Sequence, residues 1–559
     1  MQIDVVEMRL RKSIAHGRRV GFRATLSQVV GNCSLAEDFR SLTCWLSQHP
    51  HTRPLIVILA GILFLLYLQS LIPAEVFYSG DAGLKTLLSK QFCAGEFHLD
   101  LRVPADPWVH DLWERGLYPF GPPFVYDISN RHYLAFPFVF PMLSAPFYAL
   151  FGFRGLYVIP LVSTWLLWFA FLLVCRWVGL GSISTSLALA TLIFSSPLSM
   201  YSAMYWEHTL AVLLAFGGVA VSLAPPSRRA SRRWAILGGI VAGLSVWLRP
   251  ELVCLSGIIA VMIYASFKLR SVFEERTAFV VSMLATIALF WGFNMVVYHH
   301  PLGAHSFQVL EGFWLHRRVT RSFRIFESLS VDLFSYFPIA FFPLAGILVS
   351  LGSRRVRLAS STKILLWTCA LFVPLASLML PNDGGKQWGP RYLLILMPII
   401  SLLAALMLNA TLKSSKAGWR YAGSALFLLL FILGTYRNTY LGTVSLRDDY
   451  RERVLPALDL VQQHESRVVA VAHQWISQEL EAAFEQKTFF RVQEREDLAM
   501  LGAALFDQGH RGFLYLTLDY QERPTDLHFL SDDRHLMIKF AELGQYGSYL
   551  IYEAAIGEH

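Results

Sequence analysis

Eleven stretches of this chain are apolar over roughly the length of helix that crosses a bilayer, about 20 residues. They run at 54–73, 156–177, 182–203, 207–224, 234–249, 252–267, 277–298, 333–351, 363–380, 391–410 and 419–437. Inside lipid every backbone polar group must find its partner within the protein, and an α-helix does so within one segment. The fold class these runs imply is an α-helical polytopic membrane protein of about eleven transmembrane helices, the fifth and sixth being short. Composition agrees: only 16% of the 559 residues are charged, against about 25% in soluble domains.

The basic clusters orient the helices. Arg9, Arg11, Lys12, Arg18, Arg19 and Arg23 precede the first run, which lacks a small-residue cleavage pattern and reads as a retained signal anchor. Arg228, Arg229, Arg232 and Arg233 fall on the same side, as do Lys268 with Arg270, Arg354 with Arg355 and Arg357, and Lys413 with Lys416 and Arg420. By the positive-inside rule that side is cytoplasmic. The expectation is a protein of the bacterial inner membrane with its N-terminus in the cytoplasm. The net charge of +8 therefore sets topology and attracts membrane lipids rather than nucleic acid. The six cysteines show no C-x-x-C and no zinc spacing, so no disulfide framework is expected.

Three regions follow: a basic cytoplasmic segment 1–53, a membrane domain 54–440, and a soluble extracytoplasmic α/β domain 441–559. Exported loops are expected at about 74–135, 299–332 and 381–391. The first is rich in aromatic residues, from Trp108 and Trp113 to Tyr133 and Phe136, suited to helices lying in the membrane interface. The stretch 134–152, with Pro137, Pro141 and Pro146, is expected to be half-embedded or re-entrant, with a full extra span as the alternative. In the last region Val468–Ala472, Phe489–Val492, Gly512–Leu518, Met537–Leu543 and Tyr549–Tyr552 read as strands, with helices at Ser477–Gln486 and Glu494–Gln508.

Against this layout, one set of ionisable residues gathers on the exported face, where a charge needs a partner or a task. Ser79-Gly80-Asp81 follows the first span; Asp81 is either a general base or a helix cap paired with Lys85. Glu207-His208 opens the fourth span as a metal ligand pair, an acceptor-positioning pair, a second acid, or simply a capped aromatic belt. Arg249-Pro250-Glu251 breaks a helix and either lines a cavity or makes a paired turn. Arg317, Arg321 and Arg324 share one helical face, suited to phosphate or to anionic lipid. The loop Asn382-Asp383-Gly384-Gly385-Lys386-Gln387-Trp388-Gly389-Pro390-Arg391-Tyr392 brings glycines and two cations together, as an anion site would need. Walker, Rossmann, haem and nucleophile-elbow patterns are absent.

The acid after span one, the long first exported loop, the Pro-rich approach from Phe136-Pro137 to Leu150-Phe151-Gly152, Arg249-Pro250 and Gly389-Pro390-Arg391-Tyr392-Leu393 together resemble the GT-C superfamily of polytopic glycosyltransferases. The likeness is to bacterial members similar to protein O-mannosyltransferases and lipid A aminoarabinose transferases, over residues 54–440. It implies a polyprenyl-phosphate sugar donor and an acceptor that is a glycan, lipid or protein. Asp81 would be the catalytic acid–base residue, with Glu207 as second acid where many members carry two adjacent acids and this chain has Asp81-Ala82. Lys85, Arg249, Arg317, Arg321, Arg324, Lys386 and Arg391 would hold the lipid phosphate. His208, Glu251, Asp383, Trp388 and Tyr392 would position the acceptor. No cofactor is assigned; a divalent metal stays open. Two rivals remain, a transporter or flippase for lipid-linked sugars and a non-catalytic membrane scaffold.

Overall fold

The computed structural model describes residues 52–224, 231–265, 273–310, 315–352, 360–531 and 534–558. By its contacts the chain divides into Met1–Leu55 and Ile56–His559. Of the first unit only 52–55 are described, as the opening turn of a helix, so the basic N-terminal segment lies outside the described residues. The helices, the sheet and the site below belong to the second unit.

Among the described residues five helices are long and apolar enough to cross a membrane: Thr52–Leu71, Val139–Trp177, Phe273–Tyr298, Ser361–Met379 and Ala417–Gln463. A sixth arises if Arg318–Tyr336 and Pro338–Leu348, bent by 104°, count as one span. The runs at 182–203, 207–224, 252–267 and 391–410 appear as shorter apolar helices. The expected eleven full spans are therefore not matched one for one, because several runs fold into helices of only a few turns.

Prolines and glycines set the breaks. At Arg249 (φ −140°, ψ 97°) the helix Arg232–Leu248 stops, and Pro250 opens a short 3-10 turn before Val253–Ala265. Proline disfavours helical torsions in the residue before it, and the break turns Arg249 out of the helix. The same happens at Phe337-Pro338. In the Pro-rich stretch 134–152 a helix runs over Val139–Phe151, with Pro146 inside it. Gly152, at φ +57°, begins a 3-10 turn that leads into Val158–Trp177. Only glycine adopts that torsion without strain.

In the first loop β1 (Val125–Asp127) pairs antiparallel with β2 (His132–Leu134). The C-terminal part has β3 at Val468–Val471, β4 at Thr488–Arg491, β5 at Gly512–Leu518, β6 at Leu527–Ser531, β7 at Arg534–Tyr546 and β8 at Tyr549–Glu558, in one six-stranded sheet ordered β4-β3-β5-β8-β7-β6. β3 runs parallel to β4 and β5, and the remaining pairs are antiparallel. Five of these strands match sequence expectation. β6, half-exposed and on the edge, does not announce itself. Both sheet faces are covered. Along β3, Val469 and Val471 pack into the core of the helix bundle, while Val468 and Ala470 pack with Leu101, Trp113, Tyr118 and Phe120. A strand's side chains alternate between faces, so β3 is clamped between the bundle and the long first loop. Trp113, Tyr118 and Phe120 are thus buried against the sheet, while Tyr133 packs on Tyr298. Trp113 donates its indole N–H to the Phe489 carbonyl at 3.1 Å.

Candidate active site

Asp81 lies in the first turn of the helix Gly80–Cys93, whose N-cap position is Ser79 rather than Asp81. A carboxylate there is favoured by the helix dipole. Its ion-pair partner is not Lys85 but Arg391, 310 residues away, at 3.4 Å. Arg391 begins a 3-10 turn after Pro390 and donates to the Tyr392 hydroxyl at 3.2 Å, which in turn donates to Asn382 at 3.2 Å. Arg249 lies over the ring of Tyr392 and pairs with Glu251 at 2.5 Å. Lys386 reaches Asp449 at 2.6 Å and lies over Tyr78.

Asp81, Arg249, Glu251, Lys386, Arg391 and Tyr392 all line one cavity of about 880 Å³. The opposite wall belongs to the C-terminal domain, through Arg453, His473, Trp475, Gln478, Glu479 and Arg491. Sequence reading assigned none of these. They carry no motif, and only docking of the domain onto the bundle brings them within reach. Arg453 holds Glu479 through both nitrogens of its fork, at 2.5 and 2.9 Å. The charge of Arg453 and, above all, burial push the Lys386 ammonium down to about 8, although Glu479 and Asp449 pull the other way.

Other expected site residues fall elsewhere. Lys85 and Glu207 do not line the cavity; both are fully buried and pair with each other at 2.5 Å. Glu207 also takes a bond from Arg249 at 3.0 Å, so it braces that arginine from behind. His208 is buried between the Tyr201 and Trp206 rings, outside the cavity. Trp388 is buried and donates to Asn438 at 3.2 Å, which anchors the Gly-rich loop from below. Asp383 accepts from Ser328 at 2.7 Å and borders a smaller pocket with Asp332 and Tyr336. Arg321 and Arg324 share the helix Leu315–Tyr336 as expected, but both are exposed and do not line the cavity. The Arg317 side chain lies outside the described residues. Its neighbour Arg318 is spent on the Leu378 carbonyl.

The donor set does not suit a divalent cation. Among the described residues no group of three or more His, Cys, Asp or Glu side chains gathers. Each carboxylate on the cavity wall faces an arginine: Asp81 with Arg391, Glu251 with Arg249, Glu479 with Arg453.

No protein-family model and no curated protein matches the sequence. Solved structures do match its fold. ArnT from Cupriavidus metallidurans bound to undecaprenyl phosphate superposes at TM-score 0.50 with 13% identity, over 89% of this chain and 97% of that one. The same protein in the apo state gives 0.50 and 13%, over 92% and 98%. The archaeal oligosaccharyltransferase AglB from Archaeoglobus fulgidus, in complex with an inhibitory peptide and a dolichol-phosphate, gives 0.49 and 13%, over 84% and 70%.

Proposed function

We propose that this chain is a membrane glycosyltransferase of the GT-C kind, moving a sugar from a polyprenyl-phosphate donor to a hydroxyl of an acceptor glycan, lipid or protein on the extracytoplasmic side. The observation that carries the reading is the shared cavity: the Asp81 carboxylate lines the same wall as the cations Arg249, Lys386 and Arg391. The fold shared with ArnT, a structure bound to undecaprenyl phosphate, supports a lipid-phosphate donor.

In this reading the acceptor oxygen attacks the anomeric carbon from the face opposite the phosphate. The carbon–oxygen bond to phosphate breaks, and the configuration inverts. Negative charge grows on the departing lipid phosphate, where fixed cations stabilise the transition state more than the ground state. Arg391 and Arg249 offer planar forks for its oxygens, and Lys386 adds a point charge. Asp81 orients the acceptor hydroxyl and takes its proton as the new bond forms. The ion pair with Arg391 holds the Asp81 carboxylate in place beside the cations that receive the phosphate. The glycosyl-phosphate bond supplies the driving force, so no nucleotide is needed. Glu207 and Lys85 act as a buried brace for Arg249.

The test uses purified protein in nanodiscs and a panel of polyprenyl-phosphate sugars, with mass analysis of lipids and added acceptors. Asp81→Asn should lower transfer by at least about 100-fold while donor binding persists. Unchanged transfer in Asp81→Asn, or movement of the lipid-linked sugar across the bilayer without transfer, overturns the reading and favours a transporter.

A further inference from the structure

Five cationic side chains line the cavity, and four are committed. Arg391 holds Asp81, Arg249 holds Glu251 and Glu207, Lys386 holds Asp449, and Arg453 holds Glu479. The fifth is Arg491, the last residue of β4. Among the described residues no carboxylate approaches it within 4.0 Å. Its Nε is buried and has no hydrogen-bond partner. The nearby acid Asp497 spends its carboxylate on the backbone N–H groups of Gln493 and Glu494, at 2.8 and 3.1 Å.

This arginine is built into place. Its guanidinium lies on Gly121 of the first loop, where a Cβ would stand 2.5 Å from Nη1. Gly121 itself donates its N–H to Gln474 at 2.9 Å, so loop and domain are tied where the arginine sits. Beside it His473 accepts from the Trp475 N–H through Nδ1 at 3.2 Å, which leaves Nε2 as the protonated nitrogen of a neutral ring. Burial and the Arg491 charge both hold the His473 pKa below its usual value. The half-exposed Trp475 offers an aromatic face on the same wall.

A desolvated guanidinium with an unused donor costs free energy that an arriving anion recovers. We propose that Arg491, with His473 and Trp475 beside it, forms a second anion subsite on the C-terminal wall of the cavity, one that binds a phosphate or carboxylate carried by a substrate. The shared chemistry has two sources: the lipid phosphate of the donor or an anionic group on the acceptor. Forked N–H donors suit either, and the aromatic face suits an adjoining sugar ring. The subsite deepens the transfer reading by adding a recognition element for a charged substrate, but its occupancy does not depend on Asp81 being the base.

The experiment compares full-length wild type, Arg491→Gln and Arg491→Lys in nanodiscs. Probes are inorganic phosphate, a polyprenyl monophosphate, a hexose 6-phosphate and the uncharged hexose, read by titration and by thermal unfolding. Inorganic phosphate should raise the unfolding temperature of wild type and Arg491→Lys more than that of Arg491→Gln, in which only the cations around Arg391 still respond. A loss of about tenfold in hexose 6-phosphate affinity in Arg491→Gln, corresponding to one charge-assisted contact, assigns the subsite to the acceptor. The same loss for the polyprenyl monophosphate assigns it to the donor. Affinities within about twofold for both probes, a contact being worth tenfold, overturn the proposal. So does wild type binding the uncharged hexose as well as its phosphate. Arg491→Gln removes a half-buried charge that no carboxylate pairs with and so should not itself unfold the protein. A lower unfolding temperature with an intact phosphate response identifies a purely structural arginine and also overturns the subsite. Asp81→Asn abolishes transfer without weakening the Arg491-dependent response, so the transfer reading and the subsite fail separately.

Discussion

Gly83 lies against the backbone of Gln478 so closely that a Cβ at position 83 would run into the Gln478 carbonyl oxygen. Gly80, one residue before Asp81, meets the Gln478 side chain in the same way. The helix that carries Asp81 is therefore docked directly on the helix Gln474–Glu479 of the C-terminal domain. That domain helps to set where Asp81 stands, and the two glycines are what let the helices approach. Gly83→Val should cost on the order of 1–3 kcal/mol of stability as the contact is forced open, and transfer should fall much more than donor binding. Thermal unfolding alongside single-turnover transfer checks this. A Gly83→Val protein with normal transfer removes the domain from the site.

Glu207 is wedged between Lys85 at 2.5 Å and Arg249 at 3.0 Å and is 1% exposed. Glu207→Ala strands the buried Lys85 ammonium and leaves Arg249 with Glu251 alone; removing one partner of a buried pair typically costs about 3–5 kcal/mol. Replacing Lys85 and Glu207 together with Met and Leu should be far milder, since no uncompensated charge remains. Unfolding measurements on the two single variants and the pair distinguish a brace from a second catalytic acid. An acid in contact with substrate instead loses turnover at unchanged stability, and the double variant then recovers nothing.

Much of this was legible in the sequence where local chemistry decides structure. The apolar runs, the Arg249-Pro250 break and most strands follow from period, proline and glycine. Asp81, Arg249, Lys386 and Arg391 draw attention in the sequence as charges that interrupt its apolar runs, and the four line one cavity. Helical spacing placed Arg321 and Arg324 together, yet spacing does not say which way a helix face looks, and theirs is exposed. Arg491, Gln478 and His473 were out of reach for a different reason. They are ordinary residues of a small α/β unit, and they meet Gly121, Gly83 and the cavity only through contacts hundreds of residues apart. Trp113, Tyr118 and Phe120 of the first loop suit a membrane interface equally well by composition; the sheet they pack with lies more than 300 residues further along.

Lys386 should give donor binding a pH dependence. Burial and Arg453 bring its ammonium down to about 8, so it is charged below that pH and neutral above it. Affinity for a polyprenyl monophosphate should therefore be full near pH 6.5 and fall as pH rises through about 8, by up to about tenfold if one charge contact is lost. Lys386→Arg should flatten the profile, because a guanidinium stays protonated throughout. Lys386→Met should be weak and flat. A wild-type profile unchanged from pH 6.5 to 9.5 rules Lys386 out as a phosphate contact.

Glu481 makes the docking of the Asp81 helix sensitive to pH in the opposite range. It is 2% exposed, and Lys90 of that helix reaches it at 3.0 Å. Burial nevertheless outweighs Lys90 and pushes its carboxyl up to about 7. A folded-state pKa raised above the unfolded value of 4.5 means that the native protein binds the extra proton between those two values. Stability is then fully present below about pH 4.5 and declines as pH rises through 7, by on the order of 1–3 kcal/mol. Glu481→Gln keeps the shape without the charge, so it should remove this slope and be the more stable protein at pH 8. Unfolding curves for both proteins at pH 5, 6, 7 and 8 decide it. Parallel stabilities across that range mean that Lys90 holds Glu481 ionised throughout, and that the contact between the Asp81 helix and the C-terminal domain does not respond to pH.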